Sequence, residues 1–311
     1  EYSDGGFSVI VQPDGKIVIG GYGGEHYTDS DPLDFALVRY LPDGSLDTSF
    51  ATNGVVLLPP LAGANRWGFD LALQPDGKIL FGGAQLVRFL SDGSLDATFG
   101  HNGQLAPVTD GSRTKIALQP DGKILVAGNT VGTNHDFALE RYNRDGSLDT
   151  SFATSGKLTL DIQGYRDDVE DLALQIDGKI LLAGFSTDAD GNEDFALVRL
   201  NSDGSLDTGF GNDGMVTTEL GALQERGHSM ALQPDGKILV GGMYRHIVDG
   251  NAFALVRYTS NGSLDTSFGM DGKLLTKVGD GTYSEGNSIY LQPDDKILFG
   301  GGAFNNSPTQ F

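Results

Sequence analysis

Cysteine is absent from the 311 residues. That excludes disulfides, thiolate nucleophiles and sites in which sulfur holds zinc or iron. It suits a bacterial protein that works outside the cell or on its surface. Long apolar runs are missing too. None approaches the roughly 18 residues that a membrane-crossing helix needs, so no membrane span is expected. Basic residues are few: 21 Lys and Arg face 42 Asp and Glu, a formal charge of −21. A surface of that sign repels phosphate backbones and argues against nucleic acid as a partner. Glutamate is scarce, 8 against 34 aspartates. Aspartate suits turns and hard-cation sites, whereas glutamate suits helices, and no stretch shows a long helical period. Linear catalytic signatures are missing as well: there is no H-E-x-x-H, no G-x-S-x-G and no Gly-rich phosphate loop opening a helix. A catalytic constellation assembled from several repeats would leave no such trace. No secretory leader is present, and Glu1 falls in mid-pattern, so a processed or trimmed start is expected.

What the chain does have is repetition. The hairpin typified by Leu118-Gln119-Pro120-Asp121-Gly122-Lys123-Ile124-Leu125 recurs at Gln12, Gln74, Gln119, Gln175, Gln233 and Gln292, at intervals of 62, 45, 56, 58 and 59 residues. Ile116-Ala117-Leu118 alternates as a strand does, Pro120 presets a turn, and Gly122 takes its left-handed position. Call these strands A and B. After a variable loop comes strand C, Phe137–Tyr142, with counterparts at Phe35–Tyr40, Phe195–Leu200 and Phe253–Tyr258 and a shortened version at Leu86–Phe89. A second fixed turn, Asp145-Gly146-Ser147-Leu148-Asp149, recurs at Asp43, Asp92, Asp203 and Asn261, and a turn ending at Gly156 leads into strand D, Lys157–Leu160.

Four short antiparallel strands per repeat are the signature of a propeller blade, with the neighbouring sheet supplying the core that one hairpin lacks. The expectation is an all-β chain, a β-propeller of four-stranded antiparallel blades. Six blades are expected: five complete repeats plus the A–B hairpin of a sixth, in a single domain over residues 1–311 of a longer chain. Ala72, Ala117, Ala173 and Ala231 on strand A, and the pairs Gly20-Gly21, Gly82-Gly83 and Gly241-Gly242, would let inner strands crowd an axis. Phe50, Phe99, Phe152, Phe210 and Phe268 are placed to pack between blades. Arg39, Arg88, Arg141, Arg199 and Arg257 should pair with an acid of the adjoining turn or blade, and the turn lysines from Lys16 to Lys296 should be solvated.

The words L-Q-P-D-G-K-I-L, F-A-L-V-R-Y and D-G-S-L-D-x-S-F-G closely resemble the delta-60 repeat, over essentially the whole chain. The resemblance implies a propeller from a large secreted or surface-associated bacterial protein, and it brings no catalytic residues with it. Ile176 replaces the turn Pro, Asp295 replaces the turn Gly, and the second repeat has almost no B–C loop. Asp tolerates the left-handed region, so the sixth hairpin should form.

The A–B and C–D turns leave one rim of such a blade, and the B–C and D–A loops leave the other. Binding residues favour variable loops on a rigid scaffold. The D–A loops carry Arg66, Trp67, Arg113, Tyr165, Arg166, Arg226, His228 and Tyr283. Together they would suit an anionic or sugar-like ligand through forked hydrogen bonds and stacking; the bland alternative pairs each with a nearby Asp such as Asp70 or Asp167. Asp188, Asp190, Asn192 and Asp194 alternate around Gly191 like the first half of a calcium loop, without its distal Glu. Ca2+ is the cofactor such a loop would take, an Asx-turn loop the bland alternative, and Asp29, Asp31 and Asp34 form a looser version. His26, His135 and His246 occupy equivalent B–C loops and are expected to be exposed. The function that follows is a non-enzymatic structural or adhesion-type module, extracellular or on the cell surface, meeting a protein or glycan at the variable loops. A lectin-like carbohydrate or anion binder and a propeller-type lyase or hydrolase are the alternatives.

Overall fold

The computed structural model describes residues 4–23, 34–59, 70–83, 85–106, 114–132, 134–246, 250–278 and 283–304. All regular structure among them is β, and no helix is long and apolar enough to cross a membrane. The first sheet is β1 (Gly5–Val11), β2 (Ile17–Gly23), β3 (Asp34–Tyr40) and β4 (Val55–Leu58). The second is β5 (Asp70–Leu73), β6 (Ile79–Gly82), β7 (Leu86–Phe89) and β8 (Gln104–Leu105), and the third β9 (Lys115–Leu118), β10 (Ile124–Asn129), β11 (Phe137–Tyr142) and β12 (Lys157–Leu160). The fourth repeat is β13 (Asp167–Leu174), β14 (Ile180–Thr187), β15 (Glu193–Leu200) and β16 (Met215–Thr218). The fifth is β17 (Gln224–Leu232), β18 (Ile238–His246), β19 (Gly250–Tyr258) and β20 (Lys273–Thr276), and a hairpin of β21 (Tyr283–Leu291) and β22 (Ile297–Phe304) follows. Within each repeat the strands pair antiparallel in chain order, and one parallel bridge, Glu193 to Gln224, links the fourth and fifth. Two compact units result: Glu1–Gly132 with Ala138–Leu158, and Thr133–Phe137 with Thr159–Phe311.

The turns form as their residues dictate. Gly15, Gly77, Gly122, Gly178 and Gly236 sit at φ 82 to 84°, and Asp295 takes the same place at φ 63°. The paired glycines of strand B have two local reasons to lack a side chain. Strand A carries a bulge, between Gly6 and Ser8 in the first repeat, and a Cβ on Gly21 would collide with the Gly5 carbonyl beside it. A Cβ on Gly20 would meet Leu71 of the next repeat.

Within each unit, neighbouring repeats are joined by three devices. The Phe after strand C plugs the seam: Phe50 is fully buried against Gly93 of the following turn, where any Cβ would meet its ring, and the Ala51 N–H donates to the Asp92 carbonyl at 2.7 Å. Phe99 with Gly146 and Phe210 with Gly262 repeat the arrangement. Burying one such ring is worth roughly 1.5–3 kcal/mol.

The strand-C arginine is the second device. Arg39 donates Nε to Asp47 Oδ2 at 2.9 Å and Nη1 to the Ser91 carbonyl of the next repeat at 2.6 Å, and lies 4.3 Å over the Phe50 ring. Asp47 in turn accepts from Ser49, and its pKa falls to about 2, first through the Ser49 hydroxyl and further through Arg39. The turn lysines depart from the solvated expectation. Lys16, Lys78, Lys123, Lys179 and Lys237 reach the equivalent buried acid of the C–D turn at 2.7–3.4 Å, because the fold lays the two turns side by side; among the described residues Lys296 pairs with its own turn, at Asp294.

The third device was not read from sequence. At one place on strand A, which follows the bulge in the first, fourth and fifth repeats, a polar side chain accepts a backbone N–H from strand A of the next repeat. Ser8 takes Leu71 N–H at 3.1 Å, Asp70 takes Ile116 N–H at 2.9 Å, Asp171 takes Met230 N–H at 2.7 Å, and Ser229 takes Ile289 N–H at 3.1 Å. These bonds satisfy inner-strand donors that have no ladder partner on that side.

Candidate functional site

In every complete repeat the near-identical turns lie at one end of the strands, and the loops that differ lie at the other. Incoming D–A loops of the second unit are pinned by the first residues of strand A. Asp167 accepts the Ile162 N–H at 2.7 Å, Glu225 accepts the Leu220 and Ala222 N–H groups at 2.5 Å each, and Ser284 donates to the Val278 carbonyl at 3.1 Å. One position thus does the same task with three residue types, all fully or almost fully buried.

The next position carries opposite charges that find each other. Arg166 grips buried Asp168 through Nε (3.2 Å) and Nη2 (2.6 Å), and His135 Nδ1 lies 3.2 Å from the same carboxylate. Arg226 grips Glu193 with two bonds of 2.6 Å; burial alone would lower its pKa, but those bonds and the charges of Glu193, Asp168 and Glu285 raise it. Both guanidinium groups lie on the Phe185 ring, at 5.7 and 4.6 Å. His228 Nδ1 faces Glu285 Oε1 and the Gly286 carbonyl, each at 3.2 Å. Of the expected ligand-binding residues, Arg166, Arg226 and His228 are therefore on this rim, already engaged by acids, while Tyr165 is exposed beside them. Arg166 pairs with Asp168 rather than Asp167, because Asp167 turns inward to its loop. Arg66, Trp67 and Arg113, with His26, Asp29 and Asp31, lie outside the described residues, as does the side chain of Tyr283. His135 and His246 are partly buried rather than open, the first by Asp168 and the second stacked on Tyr244 at 6.0 Å.

Carboxylates gather at the same edge. One oxygen from each of Asp136, Asp161 and Asp167 lies within 4.8 Å of the other two. Burial, then the charges of Asp161 and Asp136, push Asp167 up to about 6 against the pull of Ser186 and the Ile162 N–H. In the next repeat the same three positions are Asp194, Glu219 and Glu225. Burial raises Glu225 to about 7 against its two N–H donors, and burial with the charges of Asp188 and Glu219 raises Asp194. The expected calcium loop is an ordered turn: Asp188 Oδ1 accepts the Asp190 and Asn192 N–H groups at 2.9 and 2.8 Å, and Oδ2 accepts Asn192 Nδ2 at 2.9 Å. Asp194 is the second residue of β15, near enough to Asp188 to feel its charge.

Asp136, Asp161, Asp168, Glu193 and Glu225 were not singled out from sequence. Superposing the repeats would have shown Asp136 with Asp194 before the Phe of strand C, and Asp161 with Glu219 after strand D. That these converge needed the fold.

Repeated four-stranded antiparallel sheets, sealed by a Phe and an Arg per repeat, define the β-propeller class. The chain belongs to the family described as domain of unknown function (DUF5122) beta-propeller, whose model matches residues 12–50, 74–99, 119–152, 175–210 and 233–268, more than half of the chain. Solved structures with a similar fold include a protein of unknown function from Dyadobacter fermentans (16% identity over 88% of this chain and 83% of that one, TM-score 0.45). A putative oxidoreductase (glucose dehydrogenase) from Thermus thermophilus shares 13% identity over 94% and 89%, with a TM-score of 0.50. An endo-arabinase from Bacteroides thetaiotaomicron shares 10% over 91% and 97%, with a TM-score of 0.42. At such identities the likeness concerns the fold alone. Comparison with curated proteins finds no match.

Proposed function

We propose that this propeller is a non-enzymatic interaction module, extracellular or on the cell surface, that meets a protein or glycan partner with the rim of B–C and D–A loops. The supporting observation is the pinning of loops of unlike sequence by Asp167, Glu225 and Ser284, which presents varied surfaces on an invariant frame. Six blades and a single domain belong to the same reading. Arg166, Arg226 and His228 on the rim of the second unit are tied to acids, and with the carboxylates gathered there the module suits a cationic or neutral hydroxyl-rich surface better than an anionic one. Ca2+ at Asp188, Asp190, Asn192 and Asp194 requires the ion to replace the hydrogen bonds that Asp188 now makes.

A lyase or hydrolase is the second reading, and Glu225 favours it: a carboxyl titrating at about 7 suits a general acid. Both of its oxygens hold backbone N–H groups, which argues for anchoring instead. One preparation tests both: a glycan array and a polysaccharide-degradation screen, with Trp67→Ala and Glu225→Gln. Saturable binding without product supports the module. Product formation that Glu225→Gln abolishes in a folded sample replaces it with an enzyme.

A further inference from the structure

We propose that Asp136, Asp161 and Asp167 form a site for a hard divalent cation, with Ca2+ the ion that fits. The three come from two loops. Asp136 ends the B–C loop before β11, Asp161 follows β12, and Asp167 opens β13; the loops are brought together where the Asp167 N–H donates to the His135 carbonyl at 2.7 Å. One carboxylate oxygen from each falls within 4.8 Å of the others.

Asp167 supplies the second observation. It is completely buried, its Oδ2 accepts the Ile162 N–H, and its Oδ1 is buried and makes no hydrogen bond of good geometry among the described residues, although the Ser186 hydroxyl beside the carboxylate lowers its pKa. The equivalent residue one repeat on, Glu225, engages both oxygens with the Leu220 and Ala222 N–H groups of its loop. Asp167 is one methylene shorter and takes only one such group, so its second oxygen is left for a ligand. A buried carboxylate oxygen without a donor is destabilising, and a cation removes that burden together with the mutual repulsion of three acids. The neighbouring His135 and Arg166 both face Asp168.

The donor set is all oxygen, which selects hard cations over zinc or copper. Ca2+ accepts six to eight oxygens in flexible geometry, which suits carboxylates brought together from two loops, whereas Mg2+ demands near-ideal octahedral geometry and gives up its waters reluctantly. The ion would tie the loop before β11 to the loop before β13 on the variable rim, independently of what that rim binds. Three carboxylates, one of them on exposed Asp161, match the weak affinity of extracellular calcium modules, with Kd on the order of 10⁻⁴–10⁻³ M.

Calorimetry and thermal melting of the chelator-treated full chain, titrated with CaCl2 and separately MgCl2, test the proposal. The expected result is saturable Ca2+ binding with a raised Tm, Mg2+ at least tenfold weaker, a tenfold or greater loss in Asp161→Asn, and no change in Asp188→Asn. If Asp161→Asn fails to fold by circular dichroism, Asp136→Asn takes its place. Absence of any Ca2+ heat or Tm shift at millimolar concentration overturns the site. Loss in Asp188→Asn with retention in Asp161→Asn overturns it too, and moves the ion to the Asp188–Asp194 loop. Equal binding of Mg2+ overturns the choice of ion.

Discussion

Replacing Arg199 by Ala should destabilise the second unit more than replacing Arg257, although the two residues hold the same place in consecutive repeats. Arg199 makes three contacts: Nε to Asp207 at 2.7 Å, Nη1 to the Ser260 carbonyl of the next repeat at 2.5 Å, and its guanidinium over Phe210 at 4.3 Å. Arg257 keeps the first and third, to Asp265 at 2.8 Å and over Phe268 at 4.4 Å, but among the described residues no strand C follows it to supply a carbonyl. Breaking a buried pair from one side costs about 3–5 kcal/mol. Lys179 remains 2.7 Å from Asp207, and Lys237 remains 3.4 Å from Asp265, so both losses fall toward the lower end. A hydrogen bond from a charged donor adds about 1.5–3 kcal/mol, and only Arg199 has the one that crosses to the next repeat. Taking the lower end of both ranges, Arg199→Ala should cost about 4.5 kcal/mol and Arg257→Ala about 3. Urea unfolding followed by far-ultraviolet circular dichroism measures both on the same unit. Arg199→Lys should recover less than half, since a lysine cannot serve acid, carbonyl and ring together. Equal costs for the two alanine variants, or a cost below about 1 kcal/mol for Arg199→Ala, would refute the idea that this arginine joins one repeat to the next.

Stability should peak near pH 4–5. Asp96 and Asp265 have folded pKa values of about 2, below the ordinary 3.8, so the stability they contribute is complete above pH 4 and is lost as pH falls through 2. Glu225 is raised from 4.5 to about 7, so the folded state holds the extra proton and stability declines as pH rises from 4.5 through 7, by on the order of 1–2 kcal/mol after screening; Glu225→Gln should flatten that limb in a pH series of urea midpoints. Ile176→Pro should stabilise by about 0.4–1 kcal/mol, because the exposed Ile176 occupies the turn site that Pro fills in the other five hairpins. Asp295→Gly should gain about 0.5 kcal/mol in the same assay by relieving φ 63°.

Much of the frame was legible in the residues. Strand, turn and strand follow from Ile116-Ala117-Leu118 and Pro120-Asp121-Gly122 because local chemistry decides them, and Phe50 and Arg39 were placed at the seams because each occurs once per repeat. The lysines were misjudged for a reason of reach. Lys16 lies in a turn that reads as solvated, yet the fold lays that turn beside Asp47, the acid of the other turn 31 residues on. The rim was hardest to read. Arg166 and Arg226 looked like ligand groups because their partners, Asp168 and Glu193, mean nothing by spacing: one is two residues away and the other 33. The cluster of Asp136, Asp161 and Asp167 spans 31 residues and forms only when two loops meet.

Net charge is a poor guide to this surface, because one residue type does four different things. Asp43 caps its own turn through Ser45, and Asp47 is neutralised by Arg39 and Lys16. Asp70 and Asp171 accept N–H groups between inner strands, Asp70 with its pKa raised by burial. These are costs and gains of the frame, and they recur with the repeat. Asp136, Asp161 and Asp167 do not recur as a set: the fifth repeat has Ala252, Lys277 and Ser284 at the corresponding places. Occurrence in only some repeats does not by itself mark an acid as functional, since Asp70 and Asp171 share their frame task with Ser8 and Ser229, and Asp34 precedes strand C of the first repeat as Asp136 and Asp194 do later. What sets Asp136, Asp161 and Asp167 apart is convergence: among the described residues theirs is the one group of three acids whose carboxylate oxygens lie within 4.8 Å of one another, and like charges held that close are a cost that the frame of the other repeats does not carry.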